Sequence, residues 1–398
     1  MWLFRSAFVL LAFVAITICT GIRTFKLIKY FLPSTKVFIF WPIYLLFSYS
    51  YILSMFLRFA WLRYIRPAAM YTLPFLLYFF FILLVLDLVR LILRILKINP
   101  PSPQMAGRTF PPNITAAALA LLFAFISMIY GGFHARNIQT AHYSLTINKS
   151  GFQTPLRIAL VSDSHIGQSV KRKWVANIVN AVNRTQPDII CIAGDIFDSD
   201  PGGVEDLDGI AAELRRLKAP LGVYACLGNH DRNRNRIDDF LNEAGIVLLA
   251  DQAELIADRF YIVGRRDASI RNFRPASQNQ APNSEAANQI TPLARMSAAE
   301  LTADLDKSKP VIFLDHQPVD FKAEEEAGAD LIFSGHTHAG QIFPATLVTE
   351  RIYKQAGAVN YGYWRGKSAQ AIVSSGAGLW GPALRIGTNS EVAAIDIK

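Results

Sequence analysis

Four long apolar stretches open this chain, and a faster beat of short apolar runs follows. The long stretches cover roughly residues 6–22, 37–57, 69–88 and 114–132. Each is near the ~20 residues that a helix needs to cross ~30 Å of hydrocarbon, so about four transmembrane helices are expected. The first is read as an anchor rather than a cleaved leader. No small-residue cleavage site follows Arg5, and three more stretches come after it.

Past residue 150 the period changes. LRIALV, PDIICIAGD and GVYACLGNHD read as buried strands ending in polar residues. Between them, Val170, Trp174, Val175, Ile178, Val179 and Val182 recur at helical spacing. EDLDGIAAELRRL reads as a helix with acids early and bases late, as its dipole favours. RIDDFLNEAG reads as a helix closed by glycine, and IVLLA, RFYIVG, PVIFLD, DLIFSG, AIVSSG and VAAIDI as further strands. This order predicts a layered α/β fold with a central sheet or two facing sheets. The domains read as a multi-pass region over 1–149 and an α/β domain over 150–398, with a polar surface insertion at 268–297.

Charge sharpens the division. Residues 1–149 hold 14 Lys+Arg and a single acid, Asp87, whereas residues 150–398 hold 26 Lys+Arg and 30 Asp+Glu. The basic surplus therefore belongs to the apolar half, where it suits anionic headgroups; a lipid bilayer is the expected partner and no nucleic acid is expected. The protein is read as integral to a plasma or inner membrane. Eight bases in the first and third connections face six on the other side, which leans the C-terminal domain toward the extracytoplasmic face. Asp87 and Arg90 are read as a helix-end pair reaching headgroups. Cys19, Cys191 and Cys226 are read as small buried apolar residues, with no spacing for a zinc ribbon or a disulfide framework.

Chemistry-bearing residues collect where strands end: Asp163-Ser164-His165, Gly194-Asp195-Ile196-Phe197-Asp198, Gly228-Asn229-His230-Asp231, Asp315-His316-Gln317-Pro318 and Gly335-His336-Thr337-His338. Every histidine after residue 150 falls in one of these motifs. In open α/β sheets the carboxyl ends of strands share one edge, where ligands bind. The spacing alone leaves open whether His336 and His338 hold one metal, two or none.

The motifs DSH, GDIFD, GNHD, DHQP and GHTH together resemble the calcineurin-like metallophosphoesterase superfamily, over most of residues 155–398. The resemblance implies a four-layer α/β/β/α sandwich with two metals at the strand ends. One metal would take Asp163, His165, Asp195 and His338; the other would take Asp195, Asn229, His316 and His336, with Asp195 bridging. His230 would act near the leaving group, oriented and kept cationic by Asp198. Mixed imidazole and carboxylate donors suit Mn, Fe, Zn or Co, with Mn favoured. The implied activity is a metal-dependent phosphoric ester hydrolase of phosphodiesterase or pyrophosphohydrolase type, using metal-bridging hydroxide. Protein Ser/Thr phosphatases of the superfamily carry Arg where this chain has Ser199, so a protein substrate is not expected. GHTHAGQ and AIVSSGAGLWGPALRIG resemble membrane-associated members, including the transmembrane metallophosphoesterase type, which implies a phosphorylated small-molecule or lipid substrate. The alternatives are a membrane sensor or transporter with a phosphoesterase output, and a metal-dependent binding module without turnover.

Overall fold

The computed structural model describes residues 2–57, 62–98, 103–105, 108–149, 155–231, 234–269 and 295–398. Two compact units emerge, Met1–Gly131 and Gly132–Lys398.

The first unit is helical: α1 (Trp2–Phe31), α2 (Val37–Phe56), α3 (Leu62–Ala69), α4 (Thr72–Ile95) and most of α5 (Pro112–Ala135). Two-residue strands β1 (Gln104–Met105) and β2 (Arg108–Thr109) precede α5. Leu10–Phe31, Val37–Phe56, Tyr64–Ile95 and Pro112–Ala135 are long and apolar enough to cross a membrane. The helices meet through aromatic and aliphatic side chains such as Phe40, Tyr44 and Leu76, and at some contacts through small or hydroxyl ones, which let helices approach closely. Phe79 and Leu83 pack on Ala120 and Ala124, and Thr20 Oγ1 lies 2.7 Å from the Tyr44 hydroxyl. One expectation is corrected: Asp87 lies inside α4, not at its end. It pairs with Arg23 of α1 as well as with Arg90, 3.0 Å away, so it ties two helices together.

The second unit begins earlier than residue 150. Strand β3 (Gln139–Leu145) pairs in parallel along its whole length with β14 (Glu391–Ile397). Its sequence QTAHYSL has no apolar run, because it is an edge strand covered only in part. Then come β4 (Leu156–Val161), α6 (Arg172–Arg184), β5 (Ile189–Ala193), α7 (Leu207–Leu214), β6 (Val223–Cys226), α8 (Arg234–Glu243), β7 (Val247–Leu248), β8 (Gln252–Ile256) and β9 (Phe260–Gly264). After the insertion come α9 (Ala298–Thr302), β10 (Val311–Leu314), α10 (Phe321–Glu326), β11 (Leu331–Ser334), α11 (Ala345–Gln355), β12 (Gly362–Arg365) and β13 (Gln370–Val373). Of the insertion expected at 268–297, residues 270–294 lie outside the described residues. Ser297 closes it by capping α9 in a capping box with Glu300.

Two six-stranded sheets result, ordered β3-β14-β4-β5-β6-β7 and β12-β13-β11-β10-β9-β8. The parallel strands are apolar on both faces because both faces are covered. Ile158 and Leu160 of β4 point into the layer between the sheets, with Ile312, Leu314, Leu331 and Phe333 from the second sheet. Ala159 and Val161 face α6, α7 and α8 on one outer side. Val311, Phe313 and Ile332 face α9 and α10 on the other. The architecture is the four-layer α/β/β/α sandwich. Cys191 and Cys226 are free and buried between the sheets, as small apolar residues would be.

Candidate metal centre

Strands β4, β5 and β6 run parallel in one sheet, and β10 and β11 run parallel in the other. Their carboxyl ends therefore share an edge, and the five motifs meet there. Backbone bonds lace the loops together. Asp163 N–H donates to the Gly194 carbonyl and His165 N–H to the Asp195 carbonyl, both at 3.0 Å, and Gly335 N–H donates to the His316 carbonyl at 2.9 Å. Asp163, His165, Asp195, His336 and His338 all have positive φ, between 44° and 71°. That conformation costs roughly 1–2 kcal/mol for each residue with a Cβ, and such strain gathers at functional sites. The motif glycines are there for close approach. A Cβ on Gly335 would sit 2.2 Å from Asp163 Oδ2, and one on Gly228 would sit 2.1 Å from Asp195 Oδ1.

Two clusters form. Ligand atoms of Asp163, His165 and His338 converge in one, and those of Asp195, His316 and His336 in the other. In the first, His165 Nε2 lies 3.0 Å from His338 Nε2, and His338 Nε2 lies 3.4 Å from Asp163 Oδ1. In the second, His316 Nε2 lies 3.1 Å from Asp195 Oδ2 and 3.2 Å from Asn229 Oδ1. The same Asp195 oxygen is 3.6 Å from His165 Nε2. Asp195 thus stands between the clusters, while Asn229 adds an oxygen to the second. All seven expected ligands are brought to one place.

Burial sets the protonation states. It draws His165 down to about 3 and His336 to about 4, and His338 falls well below its usual range. These three imidazoles are neutral and have lone pairs to give. Burial also pushes Asp163 up to about 6, against the pull of His316. For Asp195, burial is overcome by the charge and hydrogen bond of His316, which hold it below the carboxylate range. His316 is the converse: burial would lower it, but Asp195 raises it well above an ordinary histidine. Its Nδ1 also donates to the Ala193 carbonyl at 2.8 Å, so acceptors face both ring nitrogens. Two buried carboxylates, opposed imidazole nitrogens and an amide oxygen fit a pair of divalent cations.

His230 and Asp198 stand beside the first cluster, but not as expected. His230 Nδ1 donates to the backbone carbonyl of Asp198 at 2.9 Å. The Asp198 carboxylate turns instead toward His165, its Oδ1 3.6 Å from Nδ1. His230 is thus hydrogen-bonded to the main chain of Asp198, while the Asp198 carboxylate lies within 4.8 Å of the donor atoms of both His165 and His230. Asp231 ties two motifs together, accepting from Phe197 N–H at 2.9 Å and Gly228 N–H at 2.8 Å.

Sequence reasoning missed Arg385 and Gln341. Arg385 is fully buried and donates to the carbonyls of His338, Ser375, Gly376 and Gly378 at 2.6–3.1 Å. Burial lowers it to about 10, which leaves it cationic beneath the first cluster. An arginine in an otherwise apolar, glycine-rich stretch was the available signal. Gln341 clamps Trp380 with both ends of its amide: Nε2 donates to the Trp380 carbonyl at 2.9 Å, and Oε1 accepts from its N–H at 3.0 Å.

Comparison with known proteins agrees with this geometry. The calcineurin-like phosphoesterase family profile matches residues 156–340. An uncharacterized metallophosphoesterase of Helicobacter pylori strain J99 is 32% identical over 280 residues, covering 69% of this chain and 67% of that protein. The transmembrane protein with metallophosphoesterase domain of Danio rerio is 29% identical over 255 residues, covering 61% of this chain and 53% of that one. The UDP-2,3-diacylglucosamine pyrophosphatase of Chlamydia trachomatis is 26% identical over 237 residues, covering 47% and 64%. With 32% identity to the Helicobacter pylori metallophosphoesterase over two thirds of both chains, and with the strand-end His/Asp clusters, the chain belongs to the calcineurin-like metallophosphoesterase family.

Proposed function

We propose that this chain is a membrane-anchored hydrolase that splits a lipid-linked phosphate ester or pyrophosphate with the help of two divalent cations, Mn favoured. The observation that carries the reading is Asp195, whose Oδ2 lies 3.1 Å from His316 Nε2 and 3.6 Å from His165 Nε2. One carboxylate shared by two imidazole clusters is what a paired-cation site needs. Asp163, His165 and His338 would hold one ion with Asp195, and Asn229, His316 and His336 the other. When bound, such a pair neutralises phosphoryl charge and activates water.

The chain's own residues supply the rest. Arg385 fixes the His338 backbone, and the Ala193 carbonyl fixes the His316 ring. His230, held through Nδ1, keeps Nε2 for the oxygen that leaves phosphorus. Support for a lipid-linked substrate comes from the four apolar helices and from the pyrophosphatase activity named for the Chlamydia trachomatis relative. The distribution of bases favours an extracytoplasmic catalytic domain.

The test uses the full-length protein in mixed vesicles, loaded separately with Mn, Fe, Zn or Co. Hydrolysis of bis(p-nitrophenyl) phosphate should appear, with a higher kcat/KM on a lipid-linked pyrophosphate. No turnover with any of the four metals would remove the hydrolase reading. Equal kcat/KM on a soluble ester would remove the lipid. A reporter fused after Lys398 that is active only in the cytoplasm would overturn the sidedness.

A further inference from the structure

We infer that α11 and Trp380 form a docking face that seats the His338 side of the active-site rim in the headgroup–acyl boundary of the bilayer. The inference rests on the four helices being membrane helices and is independent of the catalytic reading. None of the side chains of α11 is buried. Leu347, Val348 and Ile352 are 57%, 58% and 56% exposed, and Trp380 is 57% exposed. Residues 346, 349 and 353 face inward, so the apolar residues are the outward side of this helix. Arg351 and Lys354 are exposed among them, long enough to reach headgroup phosphates while their stems stay in the apolar layer. Exposed apolar clusters of this kind mark contact surfaces, and tryptophan favours the membrane–water boundary.

The occupant is identified by connection. Helix α5, apolar enough to cross a membrane, ends at Ala135. Within the second unit, that end is bonded to the stretch after Trp380. Ser390 Oγ donates to the Ala135 carbonyl at 2.8 Å, and His134 Nε2 lies 2.9 Å from Asn389 Oδ1. The same stretch grips the foot of α11. Thr388 Oγ1 donates to the Gln341 carbonyl at 2.7 Å, and Phe343 N–H donates to the Ile386 carbonyl at 2.8 Å. Gln341, the last residue of GHTHAGQ, fixes the Trp380 backbone. The turn after His338 packs on α11, where a Cβ on Gly340 would sit 2.6 Å from the Thr346 backbone. A short bonded path thus joins the end of a membrane helix, the apolar face and a metal-ligand motif.

The test places a thiol-reactive environment-sensitive fluorophore on the full-length chain in vesicles of phosphatidylethanolamine and phosphatidylglycerol. Leu347→Cys and Trp380→Cys are made in a Cys19→Ala background, where the two remaining cysteines are buried. Phe125→Cys in α5 and Val247→Cys at the opposite sheet edge serve as controls. The expected result is blue-shifted emission at positions 347 and 380, with quenching by nitroxide-bearing lipid approaching that at 125, while 247 stays water-like. Water-like, unquenched emission at 347 and 380 with normal quenching at 125 would overturn the docking face and leave the membrane helices standing. Blue-shifted emission that lipid nitroxides fail to quench would also overturn it, and would assign the face to a protein partner.

Discussion

His316 places Nε2 3.1 Å from Oδ2 of Asp195, the carboxylate that stands between the two clusters. With the Ala193 carbonyl on its other nitrogen, His316 without a cation is an imidazolium facing acceptors on both sides. A cation bound by Nε2 must take the place of that proton.

Metal loading at neutral pH should therefore release a proton from His316. The folded pKa of His316 is raised, so its stabilising effect in metal-stripped protein is complete below its unfolded value near ~6.5 and is lost as pH rises through the folded value. Asp195 is depressed, so its share is present above ~3.9 and is lost as pH falls through its folded value. Cation affinity at this cluster should rise with pH, and should fall at the other below about 6 as Asp163 takes a proton. Titration calorimetry in buffers of different ionisation enthalpy should report about one proton released with the second-cluster cation. A heat that does not depend on the buffer would contradict this.

Asp195→Asn should abolish turnover and lower retained metal. The loss in affinity should exceed the ~100-fold typical of losing an outer partner of a metal ligand. Metal analysis after dialysis and steady-state rates would check it; two tightly held ions in the variant would count against a shared carboxylate.

His230→Ala should slow turnover by roughly 10²–10⁴ with metal content unchanged, most for esters with poor leaving groups. Asp198→Asn should lose less than about tenfold, or ~1.4 kcal/mol, because the contact to His230 is made by a backbone carbonyl that the substitution keeps. Equal defects in the two variants would show that the carboxylate, not the main chain, does the orienting.

Arg265 donates to Asp315, the residue before His316, and to Glu324 and Asp320, at 2.8, 3.0 and 3.1 Å. Arg295 joins Asp315 and Asp320, leaving two cations for three acids. Burial, reinforced by Asp315, raises Glu324 well above a normal glutamate, which favours its protonated form relative to a solvent-exposed acid. Arg265→Ala should cost about 3–5 kcal/mol by stranding buried charge. Glu324→Gln, which mimics the protonated form, should stay within about 1 kcal/mol. Thermal melting of the solubilised full chain would compare them; a larger loss for Glu324→Gln would reverse the assignment.

Much of the fold was legible because the physics that writes it is local. LRIALV and PDIICIAGD had to be apolar throughout, since both faces of β4 and β5 are covered. The apolar spacing expected from Trp174 to Val182 is the buried face of α6. Strand β3 was not legible, because QTAHYSL at a half-covered edge has no pattern to detect. Helix α11 escaped for the related reason that none of its residues is fully buried, so no apolar stripe marks an inward face.

By itself, the sequence determined which side chains offer donors and that each follows an apolar run. Those properties belong to residue type and to neighbours along the chain. Only the tertiary structure decided that β14 lies between β3 and β4. Only there do five motif residues take positive φ, the Asp198 carbonyl accept from His230, and Arg385 and Gln341 support the motifs. Backbone carbonyls carry no residue identity, and strain at one position is held by contacts with segments far away in the chain. Neither is written at the position where it acts.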